Sequence, residues 1–282
     1  MASLAKNVLY VDLGRKTFDV KSDTDLHKYV GGVGVGIKLL ADNFDRDPVI
    51  FSIGPLNGYF PYCSKTSIVA NDNGVIEDIY IGGSLSSRLK FAGFDSIVVY
   101  GRASSPLTLD ITDEEVVFKE VDAKLGSLGL PGKRSVLSYD QEERTYFLDK
   151  YFSPPEKILE KKLLDKNLYN LVITGTKTFP VKRADKYGEI YKKLLGQTGL
   201  LTVEKDRHPS CVGCPMGCNR SKTGEIGGNV LTHSLVACTY AEKIFSDIGV
   251  VFSCLNVLGY DYTHEDIENF PELIKKVLEG LG

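Results

Sequence analysis

The pattern of apolar and polar positions reads as mixed α and β with much strand from residue 1 to about 180. Val8–Asp12 and Thr17–Lys21 flank the turn Gly14–Lys16 and predict an opening hairpin. Further strands are expected at Val49–Ile53, Ser67–Asn71, Val75–Tyr80, Ile97–Tyr100, Leu107–Ile111 and Val116–Lys119. Turn chemistry separates several of them, at Asn73–Gly74, Ser105–Pro106 and Asp113–Glu114. Asp23–Tyr29 and Val35–Ala41 read as helices separated by the glycine-rich Gly31–Gly36. Asp122 to Arg144 reads as irregular. Pro154–Pro155 opens a helix to about Leu164, Leu171–Thr174 reads as a buried strand, and Arg183–Leu195 as an amphipathic helix. The character changes at about residue 204, where a cysteine motif, a glycine-rich link (Gly224–Asn229) and helical patterns at Leu235–Phe245 and Phe270–Leu281 follow. The expected organisation is therefore a larger domain over 1–203 and a short, mostly helical segment over 204–282.

Composition narrows the partners. The 282 residues are 43% apolar and 25% charged, enough for a buried core, and the net charge of −3 offers no general attraction to nucleic acid. The basic stretch Lys157–Lys166 is interleaved with Glu160 and Asp165 and preceded by Glu156, so it reads as a solvated helix face. No run reaches the roughly 18 apolar residues of a membrane helix, and the first residues enter a strand pattern without the features of a leader. A soluble, cytoplasmic protein without membrane or nucleic-acid partners is the expectation. The lone Gly31–Gly36 stretch lacks the G-x-G-x-x-G order of a dinucleotide fingerprint.

Five of the six cysteines lie after residue 210, which fits local metal chemistry better than a disulfide scaffold. Cys211, Cys214 and Cys218 have C-x2-C-x3-C spacing, which lets three thiolates wrap one face of a cubane cluster. Gly213 and Gly217 permit the tight turns, and Pro215 follows the second cysteine. Zinc sites more often use paired C-x2-C motifs or spaced histidines; zinc and a ligand-free remnant stand as rivals to an iron–sulfur cluster. A cubane needs a fourth ligand. Cys238 and Cys254 are the candidates, with Cys254 preferred, although both lie in apolar helical patterns where a buried structural thiol is the plain reading. Cys63 reads as packing.

Taken in order, several segments resemble the aldehyde:ferredoxin oxidoreductase family. Phe51–Gly58 is similar to its G-P-L-T-G strand end, and Gly31–Gly36 to its early glycine-rich turn. Gly82–Gly83 followed by Leu89–Val99 resembles its L-K-F-A-G-Y-D-A-I-V-V stretch, and Ser210–Cys218 its cluster loop. Asn256–Asp261 looks like the first of its two D-x-x-G-L-[CD] pterin motifs, which is why Cys254, adjoining it, is preferred as fourth ligand. The resemblance implies an α+β fold: an N-terminal two-sheet domain, followed by a short helical iron–sulfur segment. It implies a [4Fe-4S] cluster beside a tungsten or molybdenum bis-pterin, aldehyde oxidation to a carboxylic acid, and electrons leaving to ferredoxin or another redox protein. The pterin contacts it implies are Lys65, Gly82, Gly83, Arg88, Lys90, Asn256, Gly259 and Asp261.

The chain also departs from that pattern. Lys65 stands where the family has an arginine, and lysine cannot grip a phosphate with a two-pronged fork. Tyr80 stands for an asparagine, and the family's A-G-R-G-G stretch is replaced by Tyr151–Lys157. Its second pterin motif, which supplies the fourth cluster cysteine, has no counterpart within these residues. The family's acidic P-E-Y-E region reads Asn229–His233 without a carboxylate; His233 is a candidate stand-in acid/base there, with a solvent-facing side chain the plainer expectation. Three readings follow: an oxidoreductase component completed by a second subunit or a second copy, a pterin-free iron–sulfur electron-transfer or accessory protein, and a module with neither cofactor. The cysteine loop argues against the last. The first domain is expected to pack through Ile53, Ile68, Val98 and Val99 and to leave an open basic surface near Lys65 and Gly83.

Overall fold

The computed structural model describes residues 5–281. One sheet runs through the middle of the fold. Its strands are β1 (Lys6–Asp12), β2 (Thr17–Asp23), β3 (Val49–Ser52), β4 (Thr66–Asp72), β5 (Val75–Ile81), β6 (Ser96–Tyr100) and a distant β12 (Glu225–Ile226). They lie in the order β12-β5-β4-β3-β6-β1-β2, with β1 and β6 parallel and every other pair antiparallel. A second sheet is built from β7 (Leu107–Ile111), β8 (Val116–Glu120), β9 (Ser135–Asp140), β10 (Thr145–Leu148) and β11 (Leu168–Ile173), in the order β10-β9-β11-β7-β8. The helices are α1 (Gly32–Asp42), α2 (Leu85–Ala92), α3 (Ile158–Asp165), α4 (Ala184–Leu195), α5 (Val230–Ser234), α6 (Glu242–Phe245), α7 (Ile248–Leu258), α8 (His264–Glu268) and α9 (Phe270–Glu279). Among the described residues no helix is long and apolar enough to cross a membrane.

Because side chains alternate across a strand, the first sheet feeds two cores. Leu9, Phe51, Ile68, Ile97 and Val99 face the second sheet together with Leu109, Ile111, Leu137 and Leu171, and α2 and α3 add Leu89 and Leu163. Val8, Ile50, Val69 and Val98 face the opposite way, against α1 and the C-terminal helices. Burial on both faces explains the unbroken apolar runs in β3 and β6. Ile53, Ile68 and Val99 join the inter-sheet core as expected, whereas Val98 lies on the other face.

The first eight strands fall where the pattern puts them, within a residue or two. The glycines of Gly31–Gly36 do not separate a pair of helices as expected: Gly32, Gly34 and Gly36 lie inside α1. A Cβ on Gly34 would stand 2.5 Å from the Tyr29 carbonyl oxygen and 2.7 Å from the Phe270 ring, and one on Gly36 would stand 2.7 Å from Val69 Cγ2. The absent side chains are what seat α1 between the sheet and α9, and close packing outweighs the weak helix propensity of glycine. The stretch read as irregular holds the whole of β9. Leu235–Phe245 is not one helix, because Val236 has φ 51° and breaks the chain between α5 and α6.

Replacing Gly34 by alanine pushes a methyl group into the backbone at Tyr29. The expected loss is about 1–3 kcal/mol, read as a lower urea midpoint at constant slope; an unchanged midpoint would show that α1 can shift freely.

Candidate functional site

The C-terminal segment reaches the first sheet through β12, which adds to the β5 edge with Glu225 opposite Tyr80 and Ile226 opposite Ile79. Two more bonds tether the entry to this strand: Ser153 N–H donates to Lys222 O at 2.9 Å, and Gly224 N–H donates to Ser153 O at 2.8 Å. The cysteine loop lies just before it. Val212 N–H donates to Gly83 O at 3.2 Å, and Asp206 and His208 N–H donate to Met216 and Gly217 O at 2.9 Å each. Gly213 and Gly217 have φ of 76° and 49°, and a side chain on Gly217 would strike the His208 and Asp206 carbonyls. Ser221 closes the loop, its hydroxyl donating to Pro209 O and Cys218 O.

Cys211, Cys214, Cys218 and Cys238 line one small cavity, with Lys65 and Tyr62 in its wall. Cys211 and Cys218 are buried, and Cys214 and Cys238 are partly exposed. Cys238 N–H donates to Tyr62 O at 3.0 Å, which fixes this cysteine over the loop. Cys254 is not among them: α7 turns it into the core beside Leu255 and Val251, and it is fully buried there. In the structure Cys238, not Cys254, lines the cavity, since adjacency to a motif along the chain says nothing about which way a helix is rotated.

Under the cysteines lies a buried polar group of side chains. Lys65 Nζ pairs with Glu225 Oε1, both side chains almost wholly buried. Thr239 N–H donates to Glu225 Oε2 at 2.7 Å, and Cys238 Sγ donates to Glu225 Oε1 at 3.2 Å. Burial alone would raise the Glu225 carboxyl, but Lys65 outweighs it and holds the group below its usual range. Burial would likewise deprotonate Lys65, and Glu225 outweighs that to raise the ammonium above its usual range. His233 stacks on Tyr80 with ring centres 3.8 Å apart, bonds Thr239 Oγ1 through Nε2 at 3.0 Å, and is fully buried rather than solvent-facing as expected. Burial pushes it down to about 4. The thiols are pushed the other way, Cys214 to about 11 and Cys238 well above its ordinary value, chiefly by burial. Metal or cluster loading must therefore displace protons here.

The donor set fits a cysteine-ligated cluster: four sulfurs wall one cavity, and a buried ammonium stands by to offset thiolate charge. Among the described residues no three Cys, His, Asp or Glu side chains converge on a single-ion position. The pterin contacts fit less well. Lys65 is committed to Glu225, Gly82 is covered by Cys211 and Phe152, and Gly83 by Asp149, Phe152 and Leu148. Ser84 N–H also donates to Asp149 Oδ2 at 2.7 Å. The chain's own Phe152, from the stretch that departs from the family, fills the face of the glycine pair, so among the described residues the open basic surface expected near Lys65 and Gly83 is not formed. Arg88 lies along α2 with its guanidinium 5.0 Å from the Phe91 ring centre. Lys90 lines a different cavity with Tyr260, while Asn256 and Asp261 are exposed and Gly259 caps α7. Sequence reasoning missed Glu225, Thr239 and the placement of Cys238; a carboxylate five residues beyond the loop's Arg220 was visible, but not its pairing with Lys65.

Residues 8–137 match the family described as aldehyde ferredoxin oxidoreductase, N-terminal domain. The chain is 34% identical over 152 residues to the aliphatic sulfonate oxidoreductase WOR-like subunit of Pyrococcus furiosus, an alignment covering 48% of this chain and 24% of that protein. It is 33% identical over 112 residues to the tungsten-containing aldehyde ferredoxin oxidoreductase of Pyrococcus horikoshii, covering 36% of this chain and 18% of that protein. The alignments thus span a quarter or less of these relatives. Among solved structures, the active site complex BamBC of benzoyl coenzyme A reductase with 1,5-dienoyl-CoA superposes with a TM-score of 0.62 at 16% identity, covering 98% of this chain and 60% of that one. That likeness shows the fold.

His233 gives the site a pH signature. Its folded value of about 4 lies below the ordinary 6.5, so the stability it contributes is present above pH 6.5 and is lost as pH falls toward 4. The full loss is about 3 kcal/mol. Glu225, also depressed, loses stability in the same direction at still lower pH. Unfolding free energies measured from pH 7 to pH 4 should fall less steeply in His233→Phe than in the parent chain; parallel curves would refute this assignment.

Proposed function

From the match of residues 8–137 to the N-terminal domain of the aldehyde ferredoxin oxidoreductase family, we propose that the chain belongs to that family and is an iron–sulfur, electron-transferring component of such a redox enzyme. The observation that carries this reading is the cavity walled by Cys211, Cys214, Cys218 and Cys238 over the buried Lys65–Glu225 pair. The cluster, a [4Fe-4S] cubane, would supply one-electron storage and release. The chain's own residues do the rest. The loop glycines allow the backbone to fold around the site, the Gly83 carbonyl and the Ser221 hydroxyl fix its two ends, and Lys65 places a positive charge beside sulfurs that must become anionic. In this reading Cys238 takes the position of fourth ligand in place of Cys254.

The substrate-oxidising half of the reaction, aldehyde to carboxylic acid, is assigned to a second subunit or second copy, with ferredoxin or a similar soluble redox protein on the electron path. The relative named as a subunit, and the structural neighbour that belongs to a complex, support a partner of this kind. Tungsten appears in the relatives' names. In this chain the covering of Gly82–Gly83 by Phe152 and the commitment of Lys65 to Glu225 do not suit a pterin phosphate.

Anaerobically purified protein should be brown, with about four irons per chain and broad absorption near 400 nm, as for cysteine-bound cubanes. Cys214→Ala and Cys238→Ala should lower iron and colour, while Cys254→Ala should keep both. One equivalent of zinc without iron would overturn the reading, and loss of the cluster in Cys254→Ala with retention in Cys238→Ala would reverse the ligand assignment.

A further inference from the structure

A second cavity, of about 450 Å³, opens at one end of the central strands of the first sheet. Its floor is the end of β3 (Ile53–Gly54–Pro55), the start of β1 (Lys6, Asn7) and the turn before β6 (Gly93–Phe94–Asp95). Leu258 and Tyr260, just past α7, form one wall, and the exposed Phe179, Pro180 and Lys182 form the mouth. Its size lies within the range of small-molecule sites.

The charges in it are unbalanced. Lys6 is buried, its ammonium 5.4 Å from the Tyr260 ring centre. Lys90 is partly buried, 3.7 Å from the Tyr59 ring centre, and donates to Asn57 O at 2.8 Å. Asp95 is the carboxylate in the lining, and its Oδ2 already accepts from Asn7 N–H at 2.8 Å. Among the described residues none of Lys6, Lys90 and Lys182 has a carboxylate oxygen within 4.0 Å. A buried ammonium without a counter-charge is unfavourable. Two of them facing one cavity form an arrangement that an anion would complete. The rest of the lining, Ile53, Pro55, Phe94, Phe179 and Leu258, is apolar and suits an organic body rather than a hydrated inorganic ion.

We propose that this cavity binds a small organic anion, a carboxylate or sulfonate on a short apolar body, with its headgroup between Lys6 and Lys90 and Lys182 at the entrance. The site is independent of the cysteine cavity, since the two share no lining residue. Burial pulls Lys90 down to about 7; Asp95 and Cys63 oppose that shift and Lys6 adds to it. Tyr59, Tyr260 and Lys182 are the other titratable groups in the lining. An anion favours the charged lysine, so binding takes up a proton, and affinity falls as pH rises through Lys90's own value.

The test is calorimetric titration of the whole chain at pH 7 with benzoate, 1-butanesulfonate and inorganic phosphate. At least one organic anion should bind saturably, at least about tenfold more tightly than phosphate, a factor within what burial of its apolar body against the cavity wall supplies. Lys90→Met and Lys6→Met should each weaken it by about tenfold or more, and Lys275→Met, on the exposed face of α9, should leave it unchanged. A readout in the unsubstituted chain covers the case of a variant that fails to fold. The Lys90 ¹³Cε resonance should titrate near pH 7 without ligand and at clearly higher pH with the bound anion. No saturable binding of either organic anion, tighter binding of phosphate than of both, unchanged affinity in both lysine variants, or an unmoved Lys90 midpoint would each overturn the proposal.

Discussion

One buried ammonium–carboxylate pair joins the C-terminal segment of this chain to its N-terminal sheet. Lys65 sits at the entry to β4 and Glu225 on β12, so their pairing pins the later segment to the sheet edge. The same carboxylate takes the Thr239 N–H and the Cys238 thiol, so the turn that presents Cys238 is held by it too. Removing one partner of such a pair strands the other in a medium of low polarity and costs about 3–5 kcal/mol. Replacing both by apolar groups would be far less damaging to the fold, but it would remove the positive charge that faces the sulfurs. The pair is therefore better understood as fixing where the cysteines stand than as a source of net stability.

Much of the fold was legible because the central strands carry apolar residues on both faces and are bounded by turn residues. The runs in β3 and β6 have no other comfortable environment than a covered sheet. The helical assignment failed where tertiary packing overrode local preference. Gly32, Gly34 and Gly36 look like a breaker in one dimension, and it is close packing, of Gly34 on Tyr29 and Phe270 and of Gly36 on Val69, that makes them a helix. The site was only partly legible, for a similar reason. The loop cysteines announce themselves by spacing, since one short turn holds them together. Cys238 reaches the cavity, and Glu225 the lysine beneath it, through a break at Val236 and a two-residue strand, neither of which leaves a periodic trace. His233, read as solvent-facing, is sealed by the same break and by its stack on Tyr80.

Kinship and local chemistry diverge at the glycine pair. The matched family segment ends at residue 137, and the side chains that cover Gly82 and Gly83 come from beyond it: Leu148, Asp149 and Phe152, with Cys211 of the cysteine loop over Gly82. A sheet that keeps its family's architecture can thus have the ground above it rebuilt by a neighbouring stretch. Fold and site are separate inheritances in this sense. The second cavity lies where β3 ends and β1 and β6 begin, away from that rebuilt ground, and keeps an open mouth.

The late arrival of β12 sets an order of events as the protein folds. Hairpins such as β1–β2 and β4–β5 close over a few residues, whereas Glu225 must find Tyr80 across the whole second sheet and α4. Contacts separated by so much chain carry the larger loop-closure entropy and tend to form after local ones. The cysteine loop, tethered through Gly83 and β12, then acquires its shape only once the sheet already exists. Cofactor insertion becomes a step performed on a finished platform, and a nascent chain passes through a stage in which its thiols are still gathered by nothing but their closeness in sequence.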